Sequence, residues 1–156
     1  MPQCECATKY YPEVLAPTMD GYKRAKRLFN KGKHPTFIGF DMFRKNAENG
    51  GCIIFTFNGV DCSTVIVNAK KNCLLALNVN PDHRGHGLGS SVVNYIKPTW
   101  ARVIEFRVPW FENLDYVKIG TPKKGRKFIT WVMVRKETMA LAGRLRSIFE
   151  PKNNPR

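Results

Sequence analysis

Acidic residues are scarce in this chain: 12 Asp and Glu stand against 26 Lys and Arg in 156 residues, a formal net charge of +14. A field of that sign repels polycationic partners and favours anions, such as nucleic acid, phosphate groups or acidic protein surfaces. It does not choose among them. Long apolar runs are also missing. None reaches the roughly 18 residues of a membrane-spanning helix, so no membrane partner is expected. The start, Met1-Pro2-Gln3-Cys4-Glu5-Cys6, has neither a basic stretch nor an apolar core, so no secretory signal is expected. Cysteine is limited to Cys4, Cys6, Cys52, Cys62 and Cys73, an odd number with no CxxC pair. That pattern predicts free thiols in a reducing, cytoplasmic compartment. His34, His83 and His86 lack a zinc spacing, so no metal is expected.

What is present fits a globular protein. Hydrophobic residues make up 43% and charged residues 24%, and the length predicts a single domain over residues 1–150 with a frayed tail at 151–156. The charge is uneven. Residues 101–156 hold thirteen basic and five acidic residues, whereas residues 51–100 hold four and two. A smaller basic cluster is Lys23-Arg24-Ala25-Lys26-Arg27.

Periodicity gives the elements. Residues 1–17 have room for a short strand. Residues 19–32 read as a helix with Asp20 as N-cap, and Phe40 to Asn49 as a second, stopped by Gly50-Gly51. Cys52–Phe57, Ser63–Val67 and Cys73–Val79 are β-branched or apolar runs joined by short turns, Asn58-Gly59 being a hairpin signal. They predict an antiparallel meander, with Cys52, Cys62 and Cys73 as small core residues. Residues 88–96 read as a helix, Val103–Val108 as a strand, and Phe111–Ile119 as a helix ended by Gly120. Thr121–Lys127 reads as a basic loop, Phe128–Val134 as a strand, and Thr138–Glu150 as an amphipathic helix.

Between the meander and the helix at 88–96 lies Asn80-Pro81-Asp82-His83-Arg84-Gly85-His86-Gly87-Leu88-Gly89-Ser90. Glycines let successive backbone N–H groups converge on a ligand, and the first N–H groups of a helix have no partner within it. The combination predicts a phosphate site, with the charge of Arg84 nearby. A Walker A loop requires a Lys that is missing here. A Rossmann fingerprint requires Gly-x-Gly-x-x-Gly in a parallel unit, and here Gly85-x-Gly87-x-Gly89 follows a meander.

Arg84-Gly85-His86-Gly87-Leu88-Gly89 does match Arg/Gln-x-x-Gly-x-Gly/Ala, and the stretch from Leu77 to Ser90 resembles the fourth strand, loop and third helix of the GCN5-related N-acetyltransferase superfamily. Tyr116-Val117-Lys118-Ile119-Gly120 is similar to that family's Tyr-x-Lys-Leu-Gly segment, which the reading places on the helix after the fifth strand. The resemblance covers roughly residues 15–137. It implies an α+β, α/β/α sandwich. The sheet is mixed and mostly antiparallel, with a central V-shaped splay, helices on both faces and here an extra C-terminal helix.

The resemblance also implies an enzyme that moves an acetyl group from acetyl-CoA to an amine. The pantetheine arm would pair with the backbone of Leu77, Asn78 and Val79. The pyrophosphate would sit on amides of Arg84, Gly85, His86, Gly87, Leu88, Gly89 and Ser90. A fourth-strand N–H would stabilise the oxyanion, an effect worth ~3 kcal/mol. Tyr116 would protonate the departing thiolate. The family's strand Glu is absent between Cys73 and Val79, which leaves Glu105, Asp82 and His83 as candidate bases, Glu105 first. Thr121 stands where relatives have Phe, and Pro109-Trp110 shortens the connection to Tyr116, so the acceptor side departs from the pattern. An acidic protein or a nucleic-acid-associated acceptor suits the charge. In a nucleic-acid-directed variant of the fold, Lys123-Lys124-Gly125-Arg126-Lys127 and the Lys23–Arg27 cluster would meet phosphates, and Trp110 and Phe111 would stack on a base. A silent binding protein of the same fold finds no support in the loop, whose phosphate motif is intact.

Overall fold

A computed structural model describes residues 10–32 and 39–139. Its elements are β1 (Tyr11–Val14), α1 (Met19–Lys31), α2 (Phe40–Ala47), β2 (Cys52–Phe57), β3 (Val60–Asn68), β4 (Cys73–Val79), α3 (Leu88–Ile96), β5 (Trp100–Ile104), α4 (Val108–Glu112), β6 (Tyr116–Lys124) and β7 (Ile129–Arg135). The architecture is α+β. The chain divides into two compact units, one up to Pro98 and one from Thr99.

The first unit is built on an antiparallel sheet in the order β1-β2-β3-β4. The pairing Cys52↔Ile66↔Ala76 and Ile54↔Thr64↔Asn78 puts these side chains on one face, because directly opposed residues share a side. That face is covered by α1 and α2 through Tyr22, Ala25, Leu28, Phe29, Phe43 and Ala47. Each large side chain buried there contributes about 1.5–3 kcal/mol. Phe55, Ser63, Val65 and Leu77 alternate to the other face. There Tyr95 of α3 meets Phe55 edge-on at 5.7 Å, and Leu88, Val92 and Val93 are buried. Cys52, Cys62 and Cys73 are buried free thiols. Burial pushes the Cys52 thiol up to about 12, which makes it an inert core residue. The N-cap of α1 is Thr18, whose hydroxyl accepts from the Gly21 N–H at 3.2 Å. Asp20 lies one residue inside the helix and so complements the dipole instead of capping it.

The second unit holds an antiparallel sheet in the order β5-β7-β6. Here three expectations fail. The strand expected at Val103–Val108 ends at Ile104, and Glu105–Arg107 form a 3-10 turn. The helix expected at Phe111–Ile119 is instead the short α4, with Pro109 in its first turn. Asp115, at φ 67°, turns the chain so that Tyr116 opens a strand. The basic segment from Thr121 is strand up to Lys124, and only residues 125–128 form the loop. Residues 136–139 are helical, and the rest of the helix expected at Thr138–Glu150 lies outside the described residues.

Candidate functional site

The loop after β4 is set by Asn80, which is buried. Its N–H donates to the Cys62 carbonyl at 2.7 Å, and its carbonyl accepts from the His83 N–H at 2.8 Å. Its side-chain amide donates to the Asp61 carbonyl at 3.2 Å, while its Oδ1 accepts from the Asp82 N–H at 3.0 Å. Four hydrogen bonds from one residue fix the 3-10 turn Pro81–His83. In the sequence Asn80 stands out only as a residue of the glycine loop, although Asn before Pro-Asp is a turn-initiating signal. Asn80→Ala is expected to remove two of these bonds and cost about 1–3 kcal/mol of stability. Chemical denaturation measures this directly, and an unchanged unfolding midpoint would contradict the role.

Arg84 closes the base of the loop. Its Nε donates to the Val79 carbonyl at 3.1 Å and its Nη2 to the Gly32 carbonyl at 3.2 Å. The guanidinium therefore ties β4 to the carboxyl end of α1, where a cation also suits the helix dipole. Beside it the Asn78 side-chain amide donates to the Leu28 carbonyl at 2.6 Å. Gly32 permits this approach, since a Cβ there would lie 2.8 Å from Asn78 Nδ2 and 2.9 Å from Arg84 Nη2. Neither Asn78's side chain nor Gly32 is singled out by sequence reasoning, because their partners are some fifty residues away.

Beyond Arg84 the backbone opens. Gly85 and Gly87 have φ of +85° and +75°, and among the described residues no atom beyond their own immediate chain surroundings lies within 4 Å of where a Cβ would stand on either. The first helical bond of α3 runs from the Ser91 N–H to the Gly87 carbonyl at 3.0 Å. Among the described residues, the N–H groups of Gly85, His86, Gly87, Leu88, Gly89 and Ser90 have no hydrogen-bond acceptor. Leu88 is buried and anchors the helix start, whereas Gly85, His86 and Gly87 are exposed. Six consecutive donors at the positive end of a helix are suited to a polyoxyanion.

The candidate bases are each engaged elsewhere. Asp82 pairs with Lys31 at 3.0 Å on the surface. The His83 ring sits 3.5 Å from Cys62 Sγ and edge-on to Tyr10. Glu105 is exposed on its 3-10 turn, and its Oε1 accepts from the Trp131 indole N–H at 3.3 Å. Within the Lys23–Arg27 cluster, Arg24 is neutralised by Glu13 at 2.8 Å and Asp61 at 2.9 Å, and these hydrogen bonds raise its pKa further.

Tyr116 is buried at the start of β6, and its ring meets Phe111 edge-on at 5.8 Å. Burial raises its phenol pKa, and the nearby Arg135 charge opposes that shift only in part. The net shift favours the protonated phenol. Phe111, expected as a base-stacking residue, is buried against Tyr116 and Trp110 and cannot serve.

No family model and no curated protein sequence matches the chain. Solved structures do. The ribosomal-protein-S18-alanine N-acetyltransferase of Escherichia coli aligns with a TM-score of 0.60 at 16% identity, covering 81% of this chain and 92% of that one. Naa50 of Arabidopsis thaliana, in complex with the bisubstrate analogue CoA-Ac-MVNAL, gives 0.62 at 11% identity over 80% and 97% of the two chains. A GNAT-family acetyltransferase of Bacillus cereus gives 0.60 at 13% identity over 81% and 97%. With β4, the glycine loop and α3 in the order the loop motif requires, the chain has the fold of the GCN5-related N-acetyltransferases.

Proposed function

We propose that the protein is an acyl-CoA-dependent N-acyltransferase that moves an acetyl group from acetyl-CoA to an amine by direct attack in a ternary complex. The observation that carries this reading is the run of six amides from Gly85 to Ser90, at the start of α3, that have no acceptor among the described residues. A pyrophosphate supplies the acceptors that this run lacks. The backbone of Leu77, Asn78 and Val79 is proposed to pair with the pantetheine arm. The neutral amine attacks the thioester carbonyl, the C–N bond forms, and the C–S bond breaks on collapse of the tetrahedral intermediate. Tyr116 gives its proton to the departing thiolate. The proton lost by the amine leaves through solvent or through Glu105, Asp82 or His83.

Thermal denaturation of the full chain with acetyl-CoA tests the reading. At about 100 times Kd the ligand should stabilise the fold by ~2.7 kcal/mol. Free coenzyme A should shift the midpoint as well, and inorganic phosphate much less. No shift at millimolar acetyl-CoA would overturn the assignment.

A further inference from the structure

The second unit is electrically lopsided. Lys118, Lys123, Lys124, Arg126 and Lys127 all lie on the β6–β7 hairpin, and all five are exposed. From Tyr116 to Phe128 there is no acidic residue. Among the described residues, none of these five cations takes part in an ion pair. Asp115 and Glu137 stand at the opposite end of the sheet, where Tyr116 pairs with Arg135.

Aromatic rings are interleaved with this charge. The register places Thr130 between Ile104 on one side and Lys123 on the other, so the turn Glu105–Arg107 emerges beside the hairpin. On that turn Phe106 is 61% exposed, with the Arg107 guanidinium 5.3 Å from its ring centre. Lys118 Nζ lies 4.5 Å over the Trp131 ring. Between Ile119 and Lys123 the ladder skips, leaving Gly120, Thr121 and Pro122 bulged out of register opposite Trp131. A bulge re-aims the neighbouring side chains and removes a flat pairing edge. Glu105 is the one acid at this end among the described residues, and its carboxylate is held by the Trp131 indole.

We infer that the β6–β7 hairpin and the Glu105–Arg107 turn form a binding surface for single-stranded nucleic acid. The cations would follow the phosphates, and the Phe106 ring would stack on an unpaired base. An acidic peptide would use the charges but leave the exposed ring without a role. A duplex would offer phosphates, but its base faces are already stacked. Lys118 is two residues from Tyr116 and therefore on the same side of β6. A strand bound along the hairpin would thus approach the proposed proton donor. The binding inference itself does not depend on the acyl-transfer reading.

Fluorescence anisotropy with a labelled oligo(dT) of about 20 nucleotides, titrated with the full chain from about 50 to about 200 mM salt, tests this. The chain should bind at low salt with a steep salt dependence. The variant K123A/K124A/R126A/K127A should bind at least about tenfold more weakly, with the log–log slope flattened by about 2 to 3. Lys123→Ala and Lys127→Ala alone should each flatten it by about 0.7, which keeps the test intact should the quadruple variant misfold. Phe106→Ala should weaken binding with the slope unchanged. No binding at about 50 mM salt, or an unaltered slope in the charge variants, would overturn the inference. So would equal competition by polyglutamate, or tighter binding to a duplex of the same length. A chain stabilised by acetyl-CoA that ignores oligo(dT) would overturn this inference alone. The reverse result would overturn the cofactor assignment alone.

Discussion

Replacing Gly87 by Glu is expected to abolish acetyl-CoA binding while leaving the chain folded. Gly87 caps α3 at φ +75°, in the left-handed region that any Cβ disfavours, at a cost of roughly 1–2 kcal/mol. The space where its Cβ would stand is open, so the substitution begins without a backbone clash. Its carboxylate would stand among the amides from Gly85 to Ser90. A negative charge about 4 Å from a phosphate costs about 4 kcal/mol at an effective dielectric of 20, close to a thousandfold in Kd. Gly50→Glu is the matched control. Gly50 has φ +74° and equally open surroundings, but it lies at the turn before β2. The two variants should lose similar stability, and only Gly87→Glu should lose the cofactor. Calorimetric titration separates them, and equal affinities would remove the pyrophosphate from this loop.

Tyr116→Phe is expected to lower kcat by about a hundredfold or more, the range for loss of a positioned general acid, with KM for acetyl-CoA little changed. The ring contact with Phe111 survives the substitution, so the fold should stay intact. A thioester with a more acidic leaving thiol should narrow the gap between the variant and the parent, because such a thiolate departs without help. The pH dependence follows from the direction of the shift. Burial raises the folded-state pKa above the ordinary value of about 10. The phenol therefore keeps its proton through neutral and mildly alkaline solution, and a fall in kcat from its ionisation should begin only above that range. The linked stability is present below the unfolded-state value and is lost as pH rises through the folded-state one. Retention of full kcat by Tyr116→Phe would remove the residue from the mechanism.

Where the sequence read correctly, the signals were local. The meander is marked by β-branched runs and by Asn58-Gly59, and β2, β4 and α3 have the limits that periodicity predicts. The segment from Glu105 to Ile119 misled because Val-Pro-Trp-Phe and Tyr-Val-Lys-Ile fit either period over so few residues. Pairing with β7 decides in favour of a strand at Tyr116. Pro109, which fits the first turn of a helix, decides where α4 starts. The open glycine loop before α3 was legible because its features lie in consecutive residues. Its supports were not. Arg84 reaches Gly32, and Asn78 reaches Leu28, through contacts that no window of sequence contains. Thr18 displaced Asp20 as the cap of α1 by one geometric detail, the bond from its hydroxyl to the Gly21 N–H.

The six amides from Gly85 to Ser90 are all main-chain donors. Recognition written in main chain carries no side-chain signature. An alanine scan over His86, Leu88 and Ser90 would leave every one of these donors in place and register at most a packing loss at Leu88. On the proposed reading, the loop could therefore change much of its side-chain chemistry and keep every donor. The positions that constrain it are the two where a left-handed backbone admits little but glycine, Gly85 and Gly87.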